Sequence, residues 1–425
     1  MSEVNNINPD RALAQALFDA LQEQSFDGVG INRDSYGDGE QRAHDLLREH
    51  ALRLGLEVQT DAALNLYMTL PGRSRALPRV MTGSHLDSVP RGGNFDGAAG
   101  VVAGIAILSG WQKVGYQPLR DVTVMAIRAE ESAWFPFSYI GSKAAFGKLP
   151  TSALQVKRAD SGKTLTEHLA QQGGEPQRLI DGEAWLKPED IDCFIELHIE
   201  QGPVLVGAAT SLGIVTGICG SLRYRHARTL GRYAHSGATP RNHRQDAVVA
   251  TSELVVTLQR LWQELEDKGH QLTVTVGQFY TDPQQADFST VAGQVDFSLD
   301  MRSQSPLTLA LMDQKLRTAL TDITARHGVE IILGQHTSSD PGVVSPALFD
   351  QLTTAAAALG HTAMPLPSGA GHDTALFAGA GVNAAMLFVR NANGSHNPDE
   401  AMDMEDFTAA MQVLSQVLTE RASAG

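Results

Sequence analysis

Apolar positions along the first part of the chain follow two alternating periods. Leu13, Leu17 and Leu21 recur at helical spacing after Asn8-Pro9, which reads as a cap followed by proline at the first helical position. Leu46, Leu47, Ala51 and Leu54 repeat that spacing in "GEQRAHDLLREHALRLG", and Gly55 is a natural stop. "NLYMTLPG", "RVMTGSHLDSV", "DVTVMAIRAEE" and "IDCFIELHIEQGP" read as strands, with "GAAGVVAGIAILSGWQKVG" a buried helix between two of them. Strands alternating with helices predict a largely parallel or mixed sheet covered on both faces. Ligands in such sheets sit beyond the carboxyl ends of the strands. His85, Glu130, Glu131 and His198 fall at those predicted ends.

A second region opens after the glycine-rich "GIVTGICGS", which reads as a hinge. Its order is strand ("LRYRHARTL"), helix (Pro240 to Gly269), strand ("LTVTVGQFY"), strand ("GQVDFSLDMRS"), helix (Pro306 to Gly328) and strand ("VEIILGQHT"). That is the βαββαβ order of a ferredoxin-like unit. The chain then returns to αβ material through "PSGAGHDTALFAGAG" and "NAAMLFV". It ends in a helix after Asp403, with Phe407, Met411, Leu414 and Leu418 as its buried stripe. The expected organisation is therefore an α/β protein with one domain inserted into another: residues 1–213 and 335–425 form the first, and residues 214–334 the insertion.

Composition narrows the function. The chain has 425 residues, 42% hydrophobic and 19% charged, an ordinary globular balance. Its net charge of −15 repels phosphate backbones and anionic lipid, so nucleic acid and membrane are not expected partners. No apolar run reaches the roughly 18 residues of a spanning helix, and the polar opening "MSEVNNINPD" lacks a signal-peptide pattern. Cys193 and Cys219 are the only thiols. They fit a reducing cytoplasm, exclude a thiolate-rich metal site, and are expected to be small buried apolar residues.

Chemistry concentrates in a few places. An adjacent Glu pair is ordinarily a solvated edge. Glu130-Glu131, however, follows the core strand "VTVMAI" and precedes the apolar "SAWFPF", where carboxylates are costly to bury without a cation. Of 14 His, most (His50, His168, His270 and His327 among them) are expected on helix surfaces or in turns. Four lie in Gly/Ser-rich or strand-end settings: His85 in "GSHLD", His198 in "ELHIEQG", His372 in "GAGHD" and His396 in "NGSHNPDE". Any one alone reads as a structural His. Four of them together with Asp96 and two Glu point to a metal site. Imidazole and carboxylate without thiolate suit zinc, manganese, cobalt or nickel, and two metals about 3.5–4 Å apart would need one shared carboxylate.

The series "GSHLDSVPRGGNFDG", "EES", "ELHIEQGP", "GRYAHSGATPRNHRQDA", "DMRS", "SGAGHD" and "SHNPDE" resembles the metal-dependent amidases of the hydantoinase/carbamoylase type, within the larger M20 peptidase-like group. The likeness runs from about Leu13 to the C-terminal helix. It implies an αβα metallopeptidase-like catalytic domain and an inserted ferredoxin-like lid through which two chains dimerise. It implies two divalent metal ions per subunit, His85, Asp96 and His198 holding one, Asp96, Glu131 and His396 the other. Glu130 then falls at the general base, and Asp87 at the carboxylate that fixes an imidazole tautomer. The glycines of "RGGNFDG" would let backbone approach the metals. His235 matches a donor to the tetrahedral oxyanion, supplied across the dimer when lids hinged near Gly217 and Gly334 close. Arg302 matches a clamp on the substrate carboxylate, whose plain alternative is a surface Arg ending a strand. Gln201, Gly371 and His372 match pocket-lining positions.

The chain departs from the pattern twice. Where relatives carry "NVIPG", the run here is "STVAG", which puts Ser289 at the Asn position and changes the expected substrate contacts. Where relatives show Arg-Phe after the Glu pair, this chain has Trp134-Phe135, which implies a more apolar pocket wall suited to a bulky or aromatic substrate. The expected activity is hydrolysis of a linear C–N bond in a carboxylate-bearing ureido acid. An N-carbamoyl-L-amino acid would yield amino acid, carbon dioxide and ammonia. Allantoate hydrolysis, or M20-type deacylation or peptidase action, is the alternative. A non-catalytic binding protein would have lost a ligand or the base, and all are present.

Overall fold

The computed structural model describes residues 7–424; most of the polar opening of the chain lies outside them. The chain divides into two compact units. The larger runs up to Thr216 and includes Val343–Ser368 and the stretch from His372 onward; the smaller comprises Gly217–Gly342 with Gly369–Gly371.

The larger unit is built on a mixed sheet of eight strands. Their spatial order is Glu57–Thr60, Leu66–Leu70, Val122–Ile127, Arg79–His85, Ile191–Ile199, Ala384–Val389, Leu212–Ile218 and Ala363–Ser368. The four central strands, from Val122–Ile127 to Ala384–Val389, are mutually parallel. Leu66–Leu70 and Leu212–Ile218 join this block antiparallel. The central strands are apolar on both faces because both are covered. Thr82 and Val124 lie under Gly104 of the helix Ala98–Lys113. Met81, Met125 and Phe194 point the other way, into a cluster with Phe146 and Phe377, where Phe194 and Phe377 stack at 3.8 Å. The helix Ala98–Lys113 is buried from Ala98 to Trp111, as a helix apolar all round must be. It packs against Arg11–Ser25 and Met404–Ser423.

Several boundaries differ from the sequence pattern. The first helix starts at Arg11, not after Asn8: the Asp10 carboxylate accepts the Leu13 N–H at 3.3 Å, and Pro9 precedes this cap. His168, expected at a surface, is buried at 8% exposure between Ser161 and the Tyr36 carbonyl. Cys193 is buried, but Cys219 is only half-buried.

The smaller unit holds strand Gly220–Leu230, helix Ala247–Glu266, strands Thr273–Thr281 and Gln294–Ser303, helix Pro306–His327 and strand Glu330–Ile332. Its sheet runs Glu330–Ile332, Gly220–Leu230, Gln294–Ser303, Thr273–Thr281, every pair antiparallel. Burial along Gln294–Ser303 alternates strictly, the signature of one covered and one open face. The first helix begins at Ala247 rather than Pro240, because Asp246 caps the N–H groups of Val248 and Val249. The predicted last strand is split. Gly334, at φ +73°, separates Glu330–Ile332 from His336–Ser339, and both segments pair with Gly220–Leu230. Gly334 is thus a kink inside this unit, and the unit runs past it to Gly342.

One core residue gives a pH-dependent expectation. His44, in the helix Asp38–Arg53, is 1% exposed, and neither ring nitrogen has a partner. Burial, with the charges of Arg128 and Arg48, pushes its pKa well below 6.5. Unfolded His44 gains a proton near pH 6.5 while folded His44 stays neutral, so the unfolded state binds more protons and stability falls as pH drops through that value. Thermal melts at about pH 7.5 and pH 5.5 are expected to show a smaller Tm loss for His44→Leu than for the parent chain. Equal losses would exclude His44 as a source of acid sensitivity.

Candidate metal centre

The parallel block ends in a row of unusual side chains. His85 closes the strand Arg79–His85, which lies between Val122–Ile127 and Ile191–Ile199. His198 is next to last in Ile191–Ile199. Glu130 and Glu131 follow Val122–Ile127 by three and four residues. Chain order reverses direction across the sheet at Arg79–His85, the position where doubly wound sheets open a crevice.

Asp96 lies among three imidazoles. Its Oδ1 is 3.2 Å from His198 Nε2 and 3.6 Å from His85 Nε2. Its Oδ2 is 3.4 Å from His396 Nε2, which is 3.0 Å from Glu131 Oε1. Two sets of three donors result, His85–Asp96–His198 and Asp96–Glu131–His396, each with ligand atoms within 4.8 Å of one another. Asp96 belongs to both. Its Oδ1 is buried without a hydrogen-bond partner, the condition of an atom whose partner is a cation. The nitrogen and oxygen donor sets therefore fit divalent metal ions of the zinc, manganese, cobalt or nickel type. A third cluster, Glu196–His198–His372, is already satisfied. Glu196 accepts from Ser84 Oγ and from the N–H and hydroxyl of Thr374, and His372 pairs with Ser368 Oγ at 2.8 Å.

Asp87 ties three elements together. Its carboxylate lies 3.2 Å from His85 Nδ1. It also accepts the Ser35 hydroxyl at 2.6 Å and the backbone N–H groups of Glu130 and Glu131 at 3.1 and 3.2 Å. One carboxylate thus orients a candidate ligand and anchors the Glu pair. Ala129, just before the pair, has φ +48°, and Gln201 and His396 have φ +64° and +61°. Non-glycine residues held there are strained, and such strain gathers where surroundings over-determine a functional geometry. Gly97, at φ +67°, is required for a second reason: a Cβ would lie 2.4 Å from the His85 ring. At Gly93 a Cβ would strike the Glu400 carboxyl at 2.2 Å. The glycines of "RGGNFDG" thus make room for side chains behind the centre.

Charge is concentrated here. Burial works to raise Asp96, yet the surrounding imidazoles of His198, His396 and His85 hold it well below the ordinary carboxylate range. His396, beside Asp96 and Glu131, is pushed up to about 11. Burial raises Glu130 well above 4.5; the charge of His85 opposes this, and those of Glu131, Asp373 and Asp87 add to it. A carboxyl of that kind holds a proton readily, as a proton shuttle requires.

Gln201 donates to Asp96 Oδ2 at 2.8 Å. His372 is buried behind the centre, its ring 4.5 Å from that of His198, and burial pushes its pKa well below 6.5. The smaller unit holds the remaining predicted positions. His235 is exposed and pairs with Thr290 across a two-strand ladder, and the Ser236 N–H donates to the carbonyl of Ser289, which immediately precedes Thr290. The Ser289 hydroxyl is turned to Asp287. Arg302 is braced by Asp300 at 2.8 Å and donates to the Gly369 carbonyl, two residues before Gly371. The two residues expected to form an apolar wall are both engaged by neighbours. Phe135 is buried at 1% exposure against Tyr36, and the Trp134 indole donates to the Ser88 carbonyl at 2.7 Å with Arg158 over its ring.

Four residues of the centre carried no assigned role in the sequence. Ser35 holds Asp87. The Ser395 hydroxyl lies between Asp96 Oδ2 at 2.6 Å and Glu400 Oε2 at 2.5 Å, and its one proton serves either carboxyl. Glu400 accepts the N–H groups of Phe95 and Asp96. Arg33 is fully buried beside them, and burial, opposed by Glu400, Asp96 and Asp87, lowers its pKa to about 10. Ser395 and Glu400 stand within "SHNPDE", a signal that could have found them; Ser35 and Arg33 are distant in sequence and carry none.

A family model described as Peptidase family M20/M25/M40 matches residues 81–420, and the chain belongs to that family. Among its relatives, an N-carbamoyl-L-amino acid amidohydrolase of Geobacillus stearothermophilus is 33% identical over 92% of this chain and 94% of its own length. An allantoate amidohydrolase of Escherichia coli (strain K12) is 31% identical over 87% of each. A crystal structure of an amidase of the hydantoinase/carbamoylase family from Burkholderia multivorans superposes with a TM-score of 0.88, at 29% identity, over 98% of this chain and 99% of that one.

Because Asp96 alone stands in both donor sets, the two classes of ligand variant should differ. Elemental analysis after metal loading is expected to find more metal in His85→Ala or His396→Ala than in Asp96→Asn. Full occupancy in Asp96→Asn would exclude a shared carboxylate.

Proposed function

We propose that the chain is a dinuclear metal-dependent amidohydrolase that cleaves a linear C–N bond of an N-carbamoyl-L-amino acid or a related ureido acid. The observation that carries this reading is Asp96, shared between two donor sets with the Glu130–Glu131 pair fixed beside it by Asp87. Bound divalent ions would lower the pKa of water toward neutrality and polarise the substrate oxygen. His85 and His198 would hold one ion and Glu131 and His396 the other. Glu130 takes the proton of the attacking water and returns it to the leaving nitrogen; its burial supports that role.

The smaller unit is proposed to be a ferredoxin-like lid and dimerisation module. Its strand–helix–strand–strand–helix–strand order and antiparallel sheet support this. His235, exposed in a loop of small residues, would donate to the oxyanion of the neighbouring subunit's substrate. Ser289, next to the strand pair that carries His235, would make the substrate contact that relatives make with Asn. Arg302, pre-oriented by Asp300, would clamp the substrate carboxylate, and Gly371, Gln201 and His372 are proposed as further substrate contacts. The two free thiols support a cytoplasmic setting. Allantoate is the second candidate substrate, supported by the Escherichia coli relative.

The test is a substrate panel. Metal-loaded enzyme would be offered carbamoyl, formyl and acetyl amino acids and allantoate, with ammonia and amine release followed separately. Ammonia from carbamoyl substrates is expected; amine without ammonia would replace the reading with a deacylase. Glu130→Gln is expected to keep its metal and lose about 10²–10⁴-fold or more in kcat, and near-normal turnover would remove Glu130 as the base. Arg302→Ala is expected to raise KM for acids while sparing the matching amides, since the carboxylate does not change during reaction. Equal losses on acid and amide would refute the clamp.

A further inference from the structure

The loop 86–95 leaves the strand at His85 and returns at Asp96, so two proposed ligands stand at its two ends. The backbone hydrogen bond within the loop, from the Gly92 N–H to the Val89 carbonyl, does not join its two ends. Arg33 does. It is 0% exposed, and its guanidinium spans the loop. Nε donates to the Leu86 carbonyl at 2.7 Å, one residue after His85. The two terminal nitrogens donate to Asn94 Oδ1 at 3.0 Å and to the Asn94 carbonyl at 3.3 Å, two residues before Asp96. The Arg33 backbone exchanges hydrogen bonds with Ser88 as well: its N–H donates to Ser88 Oγ, and its carbonyl accepts the Ser88 N–H, both at 2.9 Å. Asn94 is fixed in turn by a bond to the Phe18 carbonyl.

We propose that Arg33 is a positioning residue for the metal centre: its planar fork fixes the separation of His85 and Asp96 before metal arrives. The proposal rests on the metal-centre reading above. A guanidinium presents its donors in one rigid plane, and an ammonium cannot reproduce three bonds to two points of a loop. Burying a cation is costly unless it is paired, so a neutral donor would suit a purely structural link. Arg33 is kept charged among Glu400, Asp96 and Asp87. Its charge and its geometry act in opposite directions on a cation. A buried positive charge repels an incoming metal, whereas a preset ligand separation favours it because less ordering is left for binding to impose.

That opposition supplies the test. Zinc affinity of the apo-protein would be measured by chelator competition well below Tm, with the absorption of the cobalt-loaded protein as a second readout of ligand geometry. Arg33→Lys keeps the charge and loses the fork; Arg33→Met loses both. The proposal expects both to bind zinc about 10–100-fold more weakly, the range for residues that orient metal ligands, with an altered cobalt spectrum. Unchanged binding in Arg33→Lys with tighter binding in Arg33→Met would mean that Arg33 acts by charge alone and would overturn it. Leu418→Ala, in the buried C-terminal helix, controls for general loss of stability. If it weakens zinc binding as much as the Arg33 variants, the positioning role is wrong. Should both Arg33 variants fail to fold, Asn94→Ala decides, since it removes one acceptor of the fork: several-fold weaker binding supports the role, and parental affinity overturns it. A parent chain that takes up no zinc would overturn the metal centre and this proposal together, whereas a metal-binding parent with unaffected variants would overturn this proposal alone.

Discussion

Asp96 is a buried carboxylate placed among three imidazoles, and the surroundings are arranged to hold its charge in one place. Its charge is held by His85 and His198 on one side and His396 on the other. One oxygen still lacks a hydrogen-bond partner. The surrounding groups are arranged to keep this carboxylate fixed: Gln201 donates to its second oxygen, the Ser395 hydroxyl lies against that oxygen, and Glu400 accepts its backbone N–H. A carboxyl group so constrained has one set of positions to offer a metal, and both donor sets are defined relative to it.

The sheet explains why these residues meet. Three neighbouring parallel strands end side by side, and each contributes chemistry at or just past its carboxyl end. Asp87 then locks the second strand end to the first, because its carboxylate accepts from the N–H groups of Glu130 and Glu131 while lying against His85. The strained backbone at Ala129 is held by this bond and by Glu40, which accepts the Ala129 N–H at 2.8 Å. A substitution at Asp87 would therefore disturb His85, the Glu130–Glu131 pair and the backbone together, and its effect could not be assigned to one of them.

The two positions expected to depart from the family pattern have definite local partners. The Trp134 indole N–H is committed to the Ser88 carbonyl, and Arg158 lies over its ring. The Glu-bearing loop is thereby tied to the loop of Asp87 and Ser88. Ser289 presents a hydroxyl turned to Asp287, a shorter donor than Asn, next to the strand pair that carries His235.

Local pattern was enough for the strands, the buried helix Ala98–Lys113, the inserted unit's element order and several of the residues that meet at the candidate centre, because periodicity and unusual polar residues at strand ends are local properties. The sequence also carried the family through its ordered motifs. Local pattern misplaced element starts where a cap decided them, as at Asp10 and Asp246, and it missed the kink at Gly334 that splits one predicted strand. Only tertiary structure could show that Asp96 stands in both donor sets, that Asp87 binds three segments, that His372 lies behind His198, and that Arg33 spans the loop between His85 and Asp96. Each of these depends on distances between residues far apart in the chain, which a one-dimensional pattern does not encode and which the stacking order of the strands decides.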